Sequence, residues 1–118
     1  EIYHVVNRSI ASRPLFLNKR DYDRKLSTIF YYQHTNSPLR YSFFIRLPLE
    51  RRRDILDELK DKRDFRVEII AFCLMPNHVH LLLKQIKDSG ISTFMSDIAN
   101  SYTRYLNAKR HEIGPIYQ

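Results

Sequence analysis

Apolar residues recur along this chain at two spacings, and the switches between them mark out its elements. Ile2 to Ser9 reads as a strand, its β-branched and aromatic residues running into Asn7-Arg8-Ser9 and a loop that closes near Arg13-Pro14. Asn18 is placed to cap a helix from about Lys19 to Gln33, in which Tyr22, Leu26, Ile29, Phe30 and Gln33 recur near helical spacing. Pro38 to Leu47, "PLRYSFFIRL", is rich in aromatics; periodicity fits a strand or a buried connection, and we expect a strand. Pro48 opens a second helix to roughly Asp64, where Ile55, Leu56 and Leu59 form a narrow apolar stripe among alternating charges, the pattern of a largely solvated helix. Phe65 to Leu74 and Val79 to Gln85 read as two strands joined by a tight connection at Met75-Pro76-Asn77. A third helix from about Ser92 to Lys109 places Phe94, Ile98, Tyr102, Tyr105 and Leu106 on one face and Asn100, Arg104, Asn107 and Lys109 on the other.

Strands mixed with separated helices and closed by an antiparallel hairpin predict an α+β fold, a ferredoxin-like sandwich with helices packed on a mainly antiparallel sheet. At 118 residues the chain is one domain's worth of sequence. The 20 Lys and Arg exceed the 13 Asp and Glu, for a net charge of +7. That excess favours a polyanionic partner, with nucleic acid first. The single cysteine, Cys73, excludes an internal disulfide, and no apolar run is long enough for a signal segment or a membrane span, so a cytoplasmic setting is expected. Strand-like sequence begins at once with no Met at position 1, and Gly114-Pro115-Ile116-Tyr117-Gln118 stops where a turn hands over to a new element, so we expect a domain truncated at both ends.

The candidate chemistry lies in "LMPNHVHLLLK", Leu74 to Lys84. Alternation along a strand puts His78, His80, Leu82 and Lys84 on one face and Val79, Leu81 and Leu83 on the other. Two imidazoles two residues apart can meet one ion and suit Mn, Fe, Co, Ni or Zn, whereas Mg usually wants more oxygen ligands. At least one further ligand is needed. A bland alternative is a pair of half-buried histidines satisfied by backbone or water. His4 and His34 read as ordinary structural or surface histidines, with His4 on a neighbouring strand able to approach the metal, and His111 falls in a loop.

"MPNHVHLLL" resembles the His-hydrophobic-His signature of the HUH single-tyrosine transposases, specifically the insertion-sequence-200-like and REP-associated tyrosine transposase group. "YHVVNRS" at Tyr3 to Ser9, "DYDRKL" at Asp21 to Leu26, "SYTRYLN" at Ser101 to Asn107 and "GPIYQ" at Gly114 to Gln118 resemble further segments of that family in the same order. The resemblance implies an enzyme that cuts single-stranded or hairpin DNA with a tyrosine nucleophile, forming a 5′-phosphotyrosine, and rejoins strands by reversal. It implies a divalent metal, Mn or Mg, held by His78 and His80, which would polarise the scissile phosphate. It also implies a homodimer. The family's nucleophile follows the Gly-Pro-Ile-Tyr-Gln region, so it is expected beyond Gln118, and this fragment should hold metal and DNA without cleaving. Tyr102 and Tyr105 are the weaker candidates for that role, with core packing as their simpler reading.

Asn7, Arg8, Asn100, Arg104, Lys109 and Arg110 are candidate DNA-binding residues, each with solvated surface as the alternative. The Arg51-Arg52-Arg53 run reads as solvated helix charge, and "YYQHTNSPLRYSFF" as core aromatics ahead of a base-stacking platform. Two other functions compete with the strand-transferase. One is a non-catalytic nucleic-acid-binding module on a ferredoxin-like sheet, and the other a hydrolase in which metal-bound water attacks the phosphodiester. The three separate by product: a covalent protein-DNA adduct, mere retention, or free ends.

Overall fold

The hairpin at Pro76-Asn77 builds the centre of the sheet. In the computed structural model, which describes residues 1–10, 13–35 and 37–110, the elements run β1 (Ile2–Arg8), α1 (Lys19–Tyr32), α2 (Tyr41–Phe44), α3 (Leu49–Lys62), β2 (Val67–Met75), β3 (His78–Gln85) and α4 (Gly90–Arg110). The sheet order is β1-β3-β2, with both pairings antiparallel. The hairpin between β2 and β3 starts from the Met75–His78 pair, and its turn carbonyls are taken up by the chain around them: Ser9 N–H donates to Asn77 O at 2.9 Å and Leu15 N–H to Pro76 O at 2.7 Å. The turn thereby fixes the end of β1 as well as the hairpin.

Val79, Leu81 and Leu83 are fully buried, packed beneath the helices with Ile29 of α1 and Phe94, Ile98, Tyr102 and Leu106 of α4. This is the α+β architecture that the pattern predicts, a ferredoxin-like arrangement of helices on an antiparallel sheet. Of the apolar residues expected on α4, only Tyr105 is left partly exposed. No helix among the described residues is long and apolar enough to cross a membrane.

One expectation is corrected. Pro38 to Leu47 is not a strand: it holds the one-turn helix α2, because its aromatic rings find partners on α1 instead of a free sheet edge. Tyr31 lies 5.3 Å from Tyr41 and 4.7 Å from Phe44 between ring centroids, and Tyr31 Oη donates to Leu39 O at 2.5 Å. The "YYQHTNSPLRYSFF" aromatics are accordingly core, with Tyr31, Tyr32, Tyr41 and Phe44 buried, while Phe43 is exposed.

The structure also fixes the rotation of α1, which the spacing left open. Asn18 caps it as expected, accepting from Asp21 N–H at 3.1 Å, but the inward stripe is Asp21, Lys25, Thr28, Ile29 and Tyr32, while Phe30 is exposed. A charged stripe can face inward because its groups are paired. Asp21 accepts from Leu17 N–H at 2.9 Å, Tyr105 Oη at 2.8 Å and Lys109 Nζ at 2.6 Å. Burial alone would raise the Asp21 pKa, but these donors outweigh it and hold the carboxyl below its ordinary value. Lys25 is fully buried; its Nζ donates to Ile98 O at 3.3 Å over the Tyr102 ring. The α3 stripe is as thin as expected, with only Leu59 buried.

Candidate active site on the open sheet face

Because facing residues in a sheet share a side, the register places His4, Val6 and Arg8 of β1 with His78, His80 and Leu82 of β3 and Ala71, Cys73 and Met75 of β2. This is the face away from the core. Cys73, Met75, His4 and Arg8 are exposed on it, and His78 and His80 are half-buried among them. The pair therefore stands on the middle strand, held by hydrogen bonds on both sides, in front of solvent. That is a rigid mounting for a two-residue site.

Each ring has one nitrogen engaged. His78 Nδ1 lies 2.7 Å from Asn77 Oδ1, and an amide oxygen can only accept, so His78 carries its proton on Nδ1. His80 Nδ1 lies 2.9 Å from His4 Nε2. The His78 and His80 ring centroids are 4.8 Å apart and the planes meet at 75°. No described residue bonds the Nε2 of either ring. Loss of hydration, reinforced by His78, His4 and Arg8, holds the His80 pKa below its ordinary value, which favours the neutral ring.

The two histidines thus fit a metal as a pair of imidazole donors, but they do not complete a site. Among the described residues no group of three or more His, Cys, Asp or Glu side chains is placed to hold an ion. His4, which the sequence suggests can approach the metal, reaches His80 first and spends its Nε2 there.

The remaining candidates divide between the two sides of the sheet. Arg8 faces His78 in register and so stands beside the pair. Asn7 pairs with Val79 and points to the helix side. Asn100 and Arg104 border a cleft of ≈ 690 Å³ with Tyr32, His34, Arg40 and Arg66, in which neither His78 nor His80 takes part. Lys109 is tied to Asp21, and Arg110 donates to Pro14 O at 3.1 Å. Tyr102 is fully buried under the opposite face and its Oη donates to Leu15 O at 2.7 Å; Tyr105 bonds Asp21. Both hydroxyls are structural. His34 is buried against Phe65, and burial lowers its pKa. His111 and the Gly114 to Gln118 segment lie outside the described residues.

Sequence reasoning missed the Asn77 and His4 contacts. Asn77 was readable as a turn residue next to His78. The His4 contact depends on a register between strands 76 residues apart, which no local pattern specifies.

No curated protein matches this sequence. A family model for IS200-like transposases matches residues 2–117. That span takes in all three strands, the histidine pair and α4. Together with the α+β fold and the paired histidines on its central strand, it establishes that the chain belongs to the IS200-like transposase family.

Proposed function

We propose that this transposase domain acts on single-stranded or hairpin DNA by cleavage and rejoining through a tyrosine, with a divalent metal, Mn or Mg, held by His78 and His80. One observation carries the reading: two imidazoles project from the central strand onto an open sheet face, each with Nδ1 engaged and Nε2 bonded by no described residue. A bound divalent ion would polarise the scissile phosphate and neutralise charge developing on its oxygens. The chain's own residues do the rest. Asn77 and His4 orient the rings, and Arg8, beside His78, offers a guanidinium to a phosphate oxygen. The open face leaves room for the DNA strand, a further ligand and the nucleophile.

In this reading the nucleophile tyrosine is the one that the family resemblance implies beyond Gln118, and Tyr102 and Tyr105 stay committed to the core and to Asp21. A second copy of the chain is the other proposed partner, with β1 and β2 as the two edges of the sheet among the described residues.

Calorimetry with Mn on this domain, on the His78→Ala/His80→Ala double variant, and on each with a single-stranded hairpin oligonucleotide tests the reading. Binding that is lost in the variant and tightened by the DNA supports it. A chain extended past Gln118 should then give a covalent protein-DNA adduct. If both proteins ignore the metal while DNA still binds, the non-catalytic binding module replaces it, and free ends without an adduct indicate attack by water.

A further inference from the structure

The contact between His4 and His80 has a geometry that limits what it can be. The two ring planes are within 16° of parallel and their centroids are 5.1 Å apart, while Nε2 of one and Nδ1 of the other are 2.9 Å apart. The centroid separation is close to that nitrogen-nitrogen distance plus the two ring radii. The rings therefore meet edge to edge, with the hydrogen bond in their common plane, and are not face-to-face stacked. One proton occupies the bond, and which ring owns it decides what His80 presents to solvent. If His4 donates, His80 is protonated on Nε2 and has no lone pair left for a metal. If His80 donates from Nδ1, its Nε2 is a free donor atom.

We propose that His4 is a positioning residue that accepts the His80 Nδ1 proton and so holds His80 in its metal-binding tautomer. The inference rests on the metal reading given above. Two observations favour this direction. His78 is already held with Nδ1–H toward Asn77 Oδ1, and the same tautomer at the neighbouring His80 leaves the Nε2 of both rings free to act as donor atoms. Arg8 shares that face, and a cation there favours a lone pair over an N–H. His4 reaches His80 from two positions along the neighbouring strand: it faces Leu82, while Val6 faces His80. Diagonal neighbours at that offset are within reach of a long side chain, and a ring fills the distance where a shorter acceptor would not. A histidine oriented by an outer hydrogen bond binds metal more tightly, because ring rotation and the wrong tautomer are both suppressed.

Imidazole nitrogen NMR on the metal-free protein at pH 8 reads the tautomers directly, and Mn calorimetry reads their consequence. In the wild type, His80 should carry its proton on Nδ1. In His4→Phe, which keeps a ring and removes the acceptor, it should move to Nε2, and Mn affinity should fall about 10- to 100-fold. His4→Gln restores an acceptor and should recover most of the affinity. Wild-type His80 protonated on Nε2, or unchanged affinity in His4→Phe, would overturn the proposal. Loss of affinity in His4→Phe that His4→Gln does not recover, together with a metal-shifted His4 nitrogen in the Zn-loaded wild type, would make His4 a ligand instead. Failure of the underlying metal reading looks different: the wild type then binds no Mn, and His78→Ala/His80→Ala changes nothing.

Discussion

Lys25 is the residue whose chemistry runs most against its surroundings. It is fully buried, and burial lowers its pKa from 10.5 to about 7. Because the unfolded chain holds the lysine proton up to its ordinary range and the folded one releases it near 7, the unfolded state binds more protons between those values. Stability should therefore rise with pH across that window. Lys25→Met keeps the length of the side chain and removes the amine, leaving Ile98 O to its own helix. Replacing buried charge with an apolar isostere is often stabilising, so we expect a gain of about 1–3 kcal/mol near pH 7 that shrinks toward pH 10. Urea denaturation of both proteins at pH 7 and pH 10 measures it, and a loss of stability at pH 7 would mean that the lysine has a role beyond packing.

Among the elements, the start of α4 depends on a single glycine. A Cβ on Gly90 would lie 2.2 Å from Arg66 O, a carbonyl that already accepts from Ile86 N–H at 3.1 Å and Lys87 N–H at 3.3 Å. Neither side can give way without breaking the link between the end of β3 and the entry to β2. Arg66 itself is held by Asp97 of α4 at 2.7 Å and by Tyr32 O at 2.9 Å, so one residue joins α1, β2 and α4. Gly90→Ala should destabilise the domain by about 1–3 kcal/mol despite the better helix propensity of alanine. A melting temperature at or above that of the wild type would show that the helix start can shift. The rotation of α1 is settled at the same scale. Its apolar residues recur at helical spacing on more than one face, and the inward one was decided by Tyr105, Lys109 and Ile98 of α4, which satisfy Asp21 and Lys25. The strand expected over Pro38 to Leu47 gives way to α2 for a related reason: a strand needs a neighbour, and its rings find α1 first.

The whole molecule carries a net charge of +7, and its candidate phosphate contacts are split between the two sides of the sheet. Affinity for DNA should fall linearly with salt on logarithmic axes, with a slope set by the number of phosphates neutralised. If the strand crosses the histidine face, Arg8→Ala should weaken binding and reduce that slope by about 1, while Arg104→Ala leaves both unchanged. Fluorescence anisotropy of a labelled hairpin oligonucleotide over a salt series distinguishes the variants. The reverse result would place the DNA in the cleft bordered by Asn100 and Arg104, away from the histidines.

By itself the sequence determined the alternation that puts His78 and His80 on one face, the turn between β2 and β3, the cap at Asn18 and the apolar face of α4. These depend on residues close together in the chain, where the strand and helix repeats are geometric consequences of the backbone. The resemblance carried by the same segments anticipated the family that residues 2–117 match. Only the tertiary structure decided which face of α1 turns inward, that Pro38 to Leu47 coils against α1, and that His4 meets the Nδ1 of His80. It also decided that Lys109 and Tyr105 belong to Asp21 and Arg8 to the histidine pair. Each of these joins groups far apart in sequence. A buried charge needs its partner, and two rings on separate strands need one register; both are set when the whole core closes.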